Sequence, residues 1–183
     1  MRAARVLLAV AVSGLCMLLT PIRATAAEPV ASVSITITSL SPDLPSRNGE
    51  ITVTGRVTNI TKERLYRLEA LFWRNQAPIL GRAGMEQALV SNSNDPLGAR
   101  YTGVFQDLTT PQNPVIAPNE SVDFTLRVRV ADLELSPTDG IYLMGVHVLQ
   151  RGNNVAIGRA RVFVPVIASK PSKIGRASCR ERV

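Results

Sequence analysis

Apolar and polar residues alternate through most of the central chain, and the alternation is clearest between Ala117 and Leu149. Val122, Phe124, Leu126, Val128 and Val130 alternate with Asp123, Thr125, Arg127 and Arg129, which places the apolar set on one face of a half-buried strand. Ser136-Pro137-Thr138-Asp139-Gly140 is a turn, and Tyr142, Met144, Val146 and Val148 begin a second alternating run with His147 directed to its other face. A tyrosine just after a glycine-containing turn, at the start of a late strand, has the position of a tyrosine corner.

Earlier segments repeat the pattern. Val33, Ile35 and Ile37 predict a first strand, and Ile51, Val53, Gly55 and Val57 predict a second that stops at Asn59. Tyr66 to Trp73 predicts a third, with Tyr66, Leu68, Ala70 and Phe72 on one face and Arg67, Glu69, Leu71 and Trp73 on the other. Both faces of that strand end apolar. Trp73 is therefore expected either under a neighbouring loop or on a contact surface, where aromatic residues are enriched. Residues 75–112 are the irregular part: a short helix over Gly84 to Val90, a polar loop from Ser91 to Gly98 and a brief strand from Thr102 to Leu108. Gln150 to Asn154 is a hairpin turn into a last strand, Val155 to Val164, which Pro165 is expected to end.

About seven strands at this spacing predict an all-β, Ig-like or fibronectin-type sandwich over residues 27–168. Its expected core is Ile35, Ile37, Val53, Val57, Leu68, Phe72, Phe124, Leu126, Val128, Tyr142, Val146 and Val148.

The two ends read differently. Residues 1–26 have the parts of a secretory signal peptide: Arg2 and Arg5, an apolar run from Val6 to Leu19, and small residues at Ala24-Thr25-Ala26. Cys16 lies inside that run behind Leu15, which argues against a lipoprotein. Ile174 to Val183 resembles a translated sequencing adapter, all ten residues being encoded in order by an adapter-like run of codons, so the natural protein is expected to continue beyond a linker beginning at residues 169–173.

Both ends change the charge and cysteine readings. The formal charge of +7 loses three arginines with the leader and a net two positive charges with the tail, leaving +2 for residues 27–173. The basicity that would suggest nucleic acid is thereby mostly removed. Cys16 and Cys179 also lie in the two ends, so an exported domain of about 147 residues has to hold together by its core rather than by disulfides.

Candidate chemistry is sparse. With one histidine, His147, and no cysteine in the mature segment, a zinc or copper site lacks its usual ligands, and no cofactor is expected. No serine sits in a Gly-x-Ser-x-Gly elbow, and no Asp-x-Asp-x-Asp-Gly calcium loop is present. The sequons Asn59-Ile60-Thr61 and Asn119-Glu120-Ser121 fall in expected turns and are read as turns. The expected interaction surface is Leu71, Trp73, Tyr101 and Phe105.

Glu50 to Asn59, Ile116 to Leu126 and Gly140 to Leu143 resemble the strand-and-turn grammar of bacterial Ig-like modules found beside glycosidases and adhesion domains. With the leader, the insertion and the closing Ala160 to Pro165, residues 1–168 resemble the N-terminal part of an uncharacterised actinobacterial envelope family. That resemblance implies a secreted ectodomain, a larger following domain and a C-terminal transmembrane helix, often encoded beside a lipid-flippase-like gene. It defines no catalytic residue. The functional expectation is a non-catalytic spacer or interaction module on the outer face of the cytoplasmic membrane. Its partner is an envelope or membrane protein. The alternatives are a glycan-binding accessory module that meets cell-wall glycan, and a non-catalytic part of an envelope hydrolase.

Overall fold

The computed structural model describes residues 31–91 and 98–167; the expected leader, the linker start and the adapter-like tail lie outside the described residues. Among the described residues seven long strands form two facing sheets, and two short ones pair with each other apart from them. They are β1 (Val33–Ser41), β2 (Glu50–Asn59), β3 (Leu65–Tyr66), β4 (Leu68–Arg74), β5 (Ala99–Asp107), β6 (Val115–Ile116), β7 (Ser121–Arg129), β8 (Gly140–Gln150) and β9 (Ala156–Val166). A helix, α1 (Gly81–Val90), separates β4 from β5, and a 3-10 turn, Val130–Leu133, follows β7. One sheet has the order β1-β2-β7, the other β5-β4-β8-β9, and β3 pairs only with β6. All pairings between these strands are antiparallel. The fold is the expected Ig-like β-sandwich.

The period of two builds the core directly. Ile51, Val53 and Gly55 of β2 lie opposite Val128, Leu126 and Phe124 of β7, so these side chains leave the sheet on one side. They meet Leu68, Ala70 and Phe72 of β4, Met144, Val146 and Val148 of β8, and Val164 and Val166 of β9 in one buried cluster. Ten of the expected core residues are in it. Ile35 and Ile37 pack against it only partly buried, because β1 is an edge strand with a register shift between Ile37 and Ser39.

The expected corner is present. Tyr142 donates its phenol to the carbonyl of Ser136 at 2.9 Å and also to that of Thr138, while Arg47 donates to the phenol oxygen at 3.3 Å. The bonds tie the loop before β8 to the strand itself. Tyr142→Phe removes the donor and leaves a carbonyl to find water, with an expected loss of about 1–2 kcal/mol in urea unfolding and no change in the folded far-ultraviolet spectrum.

Three strand expectations need correction. The third strand is broken at Arg67, whose φ of 53° lies in the left-handed region, so β3 and β4 belong to different sheets and Tyr66 is exposed rather than beside Leu68. Pro165 lies inside β9, opposite Ile141. β9 is an edge strand of its sheet, where a missing N–H costs no ladder bond. The insertion is less irregular than expected, since α1 begins at Gly81 and β5 already pairs with β4 from Ala99.

Asn59 stops β2 by using its whole side chain. It is buried, donates Nδ2 to the carbonyls of Glu63 at 2.7 Å and Ile116 at 3.0 Å, and accepts from the Thr61 amide and hydroxyl. A nitrogen with both protons committed inside the fold is a turn anchor, in keeping with the turn reading of that sequon.

Candidate functional site

The two outer faces differ in chemistry. On the three-stranded sheet the outward residues form polar ladders: Thr58 with Ser121 at 2.8 Å, Arg56 with Asp123 at 2.7 Å, and Thr54 with Ser39 at 2.6 Å. The Arg56–Asp123 pair is exposed, and the hydrogen bond from the guanidinium holds the Asp123 carboxyl below its usual range. This is an ordinary solvated face.

The outer face of β5-β4-β8-β9 is apolar at its floor and cationic above it. The registers place Arg100, Trp73, Gly145 and Arg161 in one row across the four strands, and Phe105, Leu71, His147 and Arg159 in the next. Leu71 joins Leu149 and Ala156 in a small buried cluster on this side. β4 and β8 are therefore buried on both faces, which is why their sequences lose strict alternation.

Trp73 is the centre of this arrangement. It is 1% exposed, donates Nε1 to the carbonyl of Ala160 at 3.3 Å, and lies 5.2 Å from the His147 ring centroid to centroid. The guanidinium of Arg161 sits 6.0 Å above the indole, within cation–π range. The indole reaches β9 because Gly145, between them, has no side chain: a Cβ there would lie 2.7 Å from Nε1.

His147 is buried beside it, and among the described residues its Nδ1 has no hydrogen-bond partner. Burial pushes its pKa down from 6.5 to about 3, with further lowering from Arg159, Arg100 and Arg161. The sign of the stability effect follows. The unfolded imidazole takes a proton below about 6.5 and the folded one refuses it, so stability present above that pH is lost as pH falls toward 3, by at most about 1.4 kcal/mol per unit. Urea midpoints measured at pH 7 and pH 4 should therefore converge in His147→Gln relative to the unsubstituted protein. An equal acid shift in both would contradict the burial of this imidazole.

Of the four expected surface residues, only Phe105 is an exposed aromatic, at 55%. Leu71 and Trp73 face outward but are covered, Trp73 lying under the chain at Gly98 as well as under Arg161. Tyr101 belongs to the opposite side: it is paired with Phe72, packs against the main core, and has Arg74 5.9 Å above its ring. The four residues therefore do not form one exposed patch. Sequence reading overlooked Arg100, Arg159 and Arg161, and the signal available was the pair Arg159 and Arg161, two positions apart in the last strand.

Beside these rows, α1 leans over β8 and β9. Ala88 and Leu89 with Leu143, Arg161 and Phe163 line a cleft beneath it, and Arg161 donates Nη1 to the Ser91 hydroxyl at 2.8 Å. None of the α1 residues is buried. Leu80, Leu89 and Val90 are exposed at 75%, 64% and 84%. An Arg82–Glu86 pair at 2.7 Å is the helix's main side-chain support.

Arg74, at the end of β4, is buried and serves the fold. It donates Nε to the Leu133 carbonyl at 2.9 Å, Nη1 to those of Ala99 and Arg100, and Nη2 to Glu134 at 3.1 Å. Among the described residues no group of three or more His, Cys, Asp or Glu is placed to hold a metal, and no helix is long and apolar enough to cross a membrane.

No family model matches the chain, and no curated protein matches it. Among solved structures it is similar to the CARDB domain of a Pyrococcus furiosus protein, at 14% identity and a TM-score of 0.43, covering 76% of this chain and 98% of that one. It is also similar to a β-glucosidase from Listeria innocua in complex with glucose, at 12% identity and a TM-score of 0.43, covering 74% of this chain and 16% of the enzyme. A third is the Pseudomonas fluorescens alkylpurine DNA glycosylase AlkC bound to DNA containing an abasic site analogue, at 13% identity and a TM-score of 0.44, covering 75% and 31%.

Proposed function

We propose that this domain is a non-catalytic interaction module of a larger, membrane-anchored cell-envelope protein, held outside the cytoplasmic membrane. It presents the α1 side of the four-stranded sheet to a membrane-protein partner. The observation that carries the reading is the contrast between the two outer faces. One is closed by Ser/Thr and ion-pair ladders, whereas the other is bordered by exposed Leu80, Leu89, Val90 and Phe105. Leu80, Leu89 and Val90 belong to one short helix and the residue before it, and large apolar side chains carried on one element mark a contact surface more strongly than the same residues scattered singly. The sole histidine supports a non-catalytic role, because a buried neutral imidazole lodged among arginines is poorly placed to exchange protons with a substrate.

The glycan-binding alternative loses its platform. Stacking on sugar rings needs aromatic faces open together, but Trp73 is covered and Tyr101 lies on the other side of the sheet. Insoluble peptidoglycan and cell-wall polysaccharide are therefore expected not to retain the exported chain. Saturable retention, abolished by Phe105→Ala without loss of the folded state, would replace the present reading with the glycan one.

A further inference from the structure

The two facing sheets have four edge strands among the described residues: β1 and β7 on one, β5 and β9 on the other. Three of these edges are irregular. β1 has its register shift between Ile37 and Ser39, and on β5 the partners of β4 jump from Phe105 to Tyr101. β9 carries Pro165, and near its start the Ser32 amide donates to the Ile157 carbonyl at 2.7 Å. Such bulges, prolines and covers keep an edge from pairing with another chain. β7 has none of them: it matches β2 without a shift, from Ser121 opposite Thr58 to Arg129 opposite Glu50. The direction of its free groups follows from its bonds. The Glu120 carbonyl accepts from Asn59 and the Val130 amide donates to Gly49, so even-numbered residues turn their backbone groups toward β2. The Thr125 amide instead donates to Gln106 Oε1 at 2.6 Å. Ser121, Asp123, Thr125, Arg127 and Arg129 thus direct N–H and C=O outward, and in the middle of the row the Gln106 side chain stands in for the carbonyl of a neighbouring strand.

We propose that β7 pairs with β7 of a second copy of this chain, antiparallel about a two-fold axis through Thr125. Under that symmetry Thr125 faces the partner's Thr125, Asp123 faces the partner's Arg127, and Arg127 faces the partner's Asp123. The outward groups of all three then meet outward groups, as the hydrogen-bonded pairs of an antiparallel ladder require. Asp123 and Arg127 stand on the outer face of the sheet, where opposed Cβ atoms are about 5 Å apart, so opposite charges meet twice across the axis. Asp123 is held by Arg56, but its side chain is 72% exposed and open to a second guanidinium. Arg127 is exposed and has no ionic partner among the described residues. The same charges reject the alternatives. A parallel pairing in register sets Asp123 on Asp123, and a slip of two residues sets Asp123 opposite Thr125 or opposite Arg129, which Asp132 already engages. The contact is isologous and joins two three-stranded sheets into one of six strands. Gln106 has to leave Thr125 for the ladder to close, which makes its side chain a competitor of the second copy. Because α1 lies over β8 and β9, away from β7, the pairing goes beyond the contact-face reading and leaves that side of both copies open.

Sedimentation velocity of the exported chain over a dilution series tests this, with the melting transition of each variant checked first. The expected result is a reversible equilibrium between monomer and dimer. Arg127→Glu and Asp123→Lys each set like charges against each other twice, and each should weaken the dimer at least about tenfold. Mixed in equal amounts, the two variants should form a heterodimer, because each unsubstituted residue then faces its opposite charge and each introduced charge faces the other. Gln106→Ala frees the central amide in both copies and should tighten the homodimer about tenfold. The proposal is overturned if the chain stays monomeric up to about 1 mM, if Arg127→Glu leaves a dimer intact, if the mixture of folded variants does not associate, or if Gln106→Ala weakens the dimer. Its failure leaves the contact-face reading standing, since that is read separately by cross-linking from Phe105.

Discussion

Gly145→Ala is expected to lower stability by at least about 4 kcal/mol, and in a domain of ordinary marginal stability that is close to unfolding it. Gly145 lies mid-strand in β8, hydrogen-bonded between β4 and β9. A Cβ there would overlap the carbonyl oxygen of Ala160 and stand 2.7 Å from Trp73 Nε1. The carbonyl belongs to the backbone of the paired strand, so relief requires β9 to part from β8 or the indole to leave its slot. Either movement exposes the Trp73–His147 pair. Urea unfolding and the near-ultraviolet circular dichroism of the single tryptophan should both register the loss. A change of less than about 1 kcal/mol would mean that the indole does not cross this glycine.

Phe124→Ala should cost about 3–5 kcal/mol, the range for removing a buried aromatic ring from a packed core. Phe124 is 2% exposed and lies opposite Gly55, where an added Cβ would fall 2.6 Å from Cζ of the ring. The ring thus fills the space that the glycine leaves on β2, and alanine opens a void that neither strand can close. The loss should appear as a lower urea midpoint with an unchanged slope.

Much of the sandwich was legible because one sheet obeys its period. β2 and β7 alternate cleanly, so Val53, Val57, Phe124, Leu126 and Val128 could be assigned to the core from spacing alone, and the turn before Tyr142 announced the corner. The other sheet obscured its own reading. β4 and β8 are covered on both faces, so an apolar residue facing outward there is indistinguishable in sequence from an exposed one. Trp73 shows the difficulty: its covers are Arg161, two strands away, and the chain at Gly98. The one local hint was Gly145, since a glycine within a strand marks a close approach of another group. Tyr101 and Phe105 were grouped wrongly for a different reason. Between Leu71 and Phe72 the β5 partner jumps from Phe105 to Tyr101, and that irregularity sends the two rings to opposite sides of the sheet. The kink at Arg67 had no signal at all, because nothing in the residue type favours its left-handed conformation.

Photocross-linking in the exporting cell tests the central claim most directly. A photoreactive phenylalanine analogue is placed singly at Phe105, Leu80 or Val90 on the α1 side, and at Thr54 or Arg56 on the polar face of the opposite sheet, with folding checked by Trp73 fluorescence. The account predicts a discrete membrane-protein adduct from Phe105 and from at least one of the two α1-side positions, and none from Thr54 or Arg56. Adducts from the polar face alone, or from no position while the full-length protein remains in the membrane fraction, would contradict it.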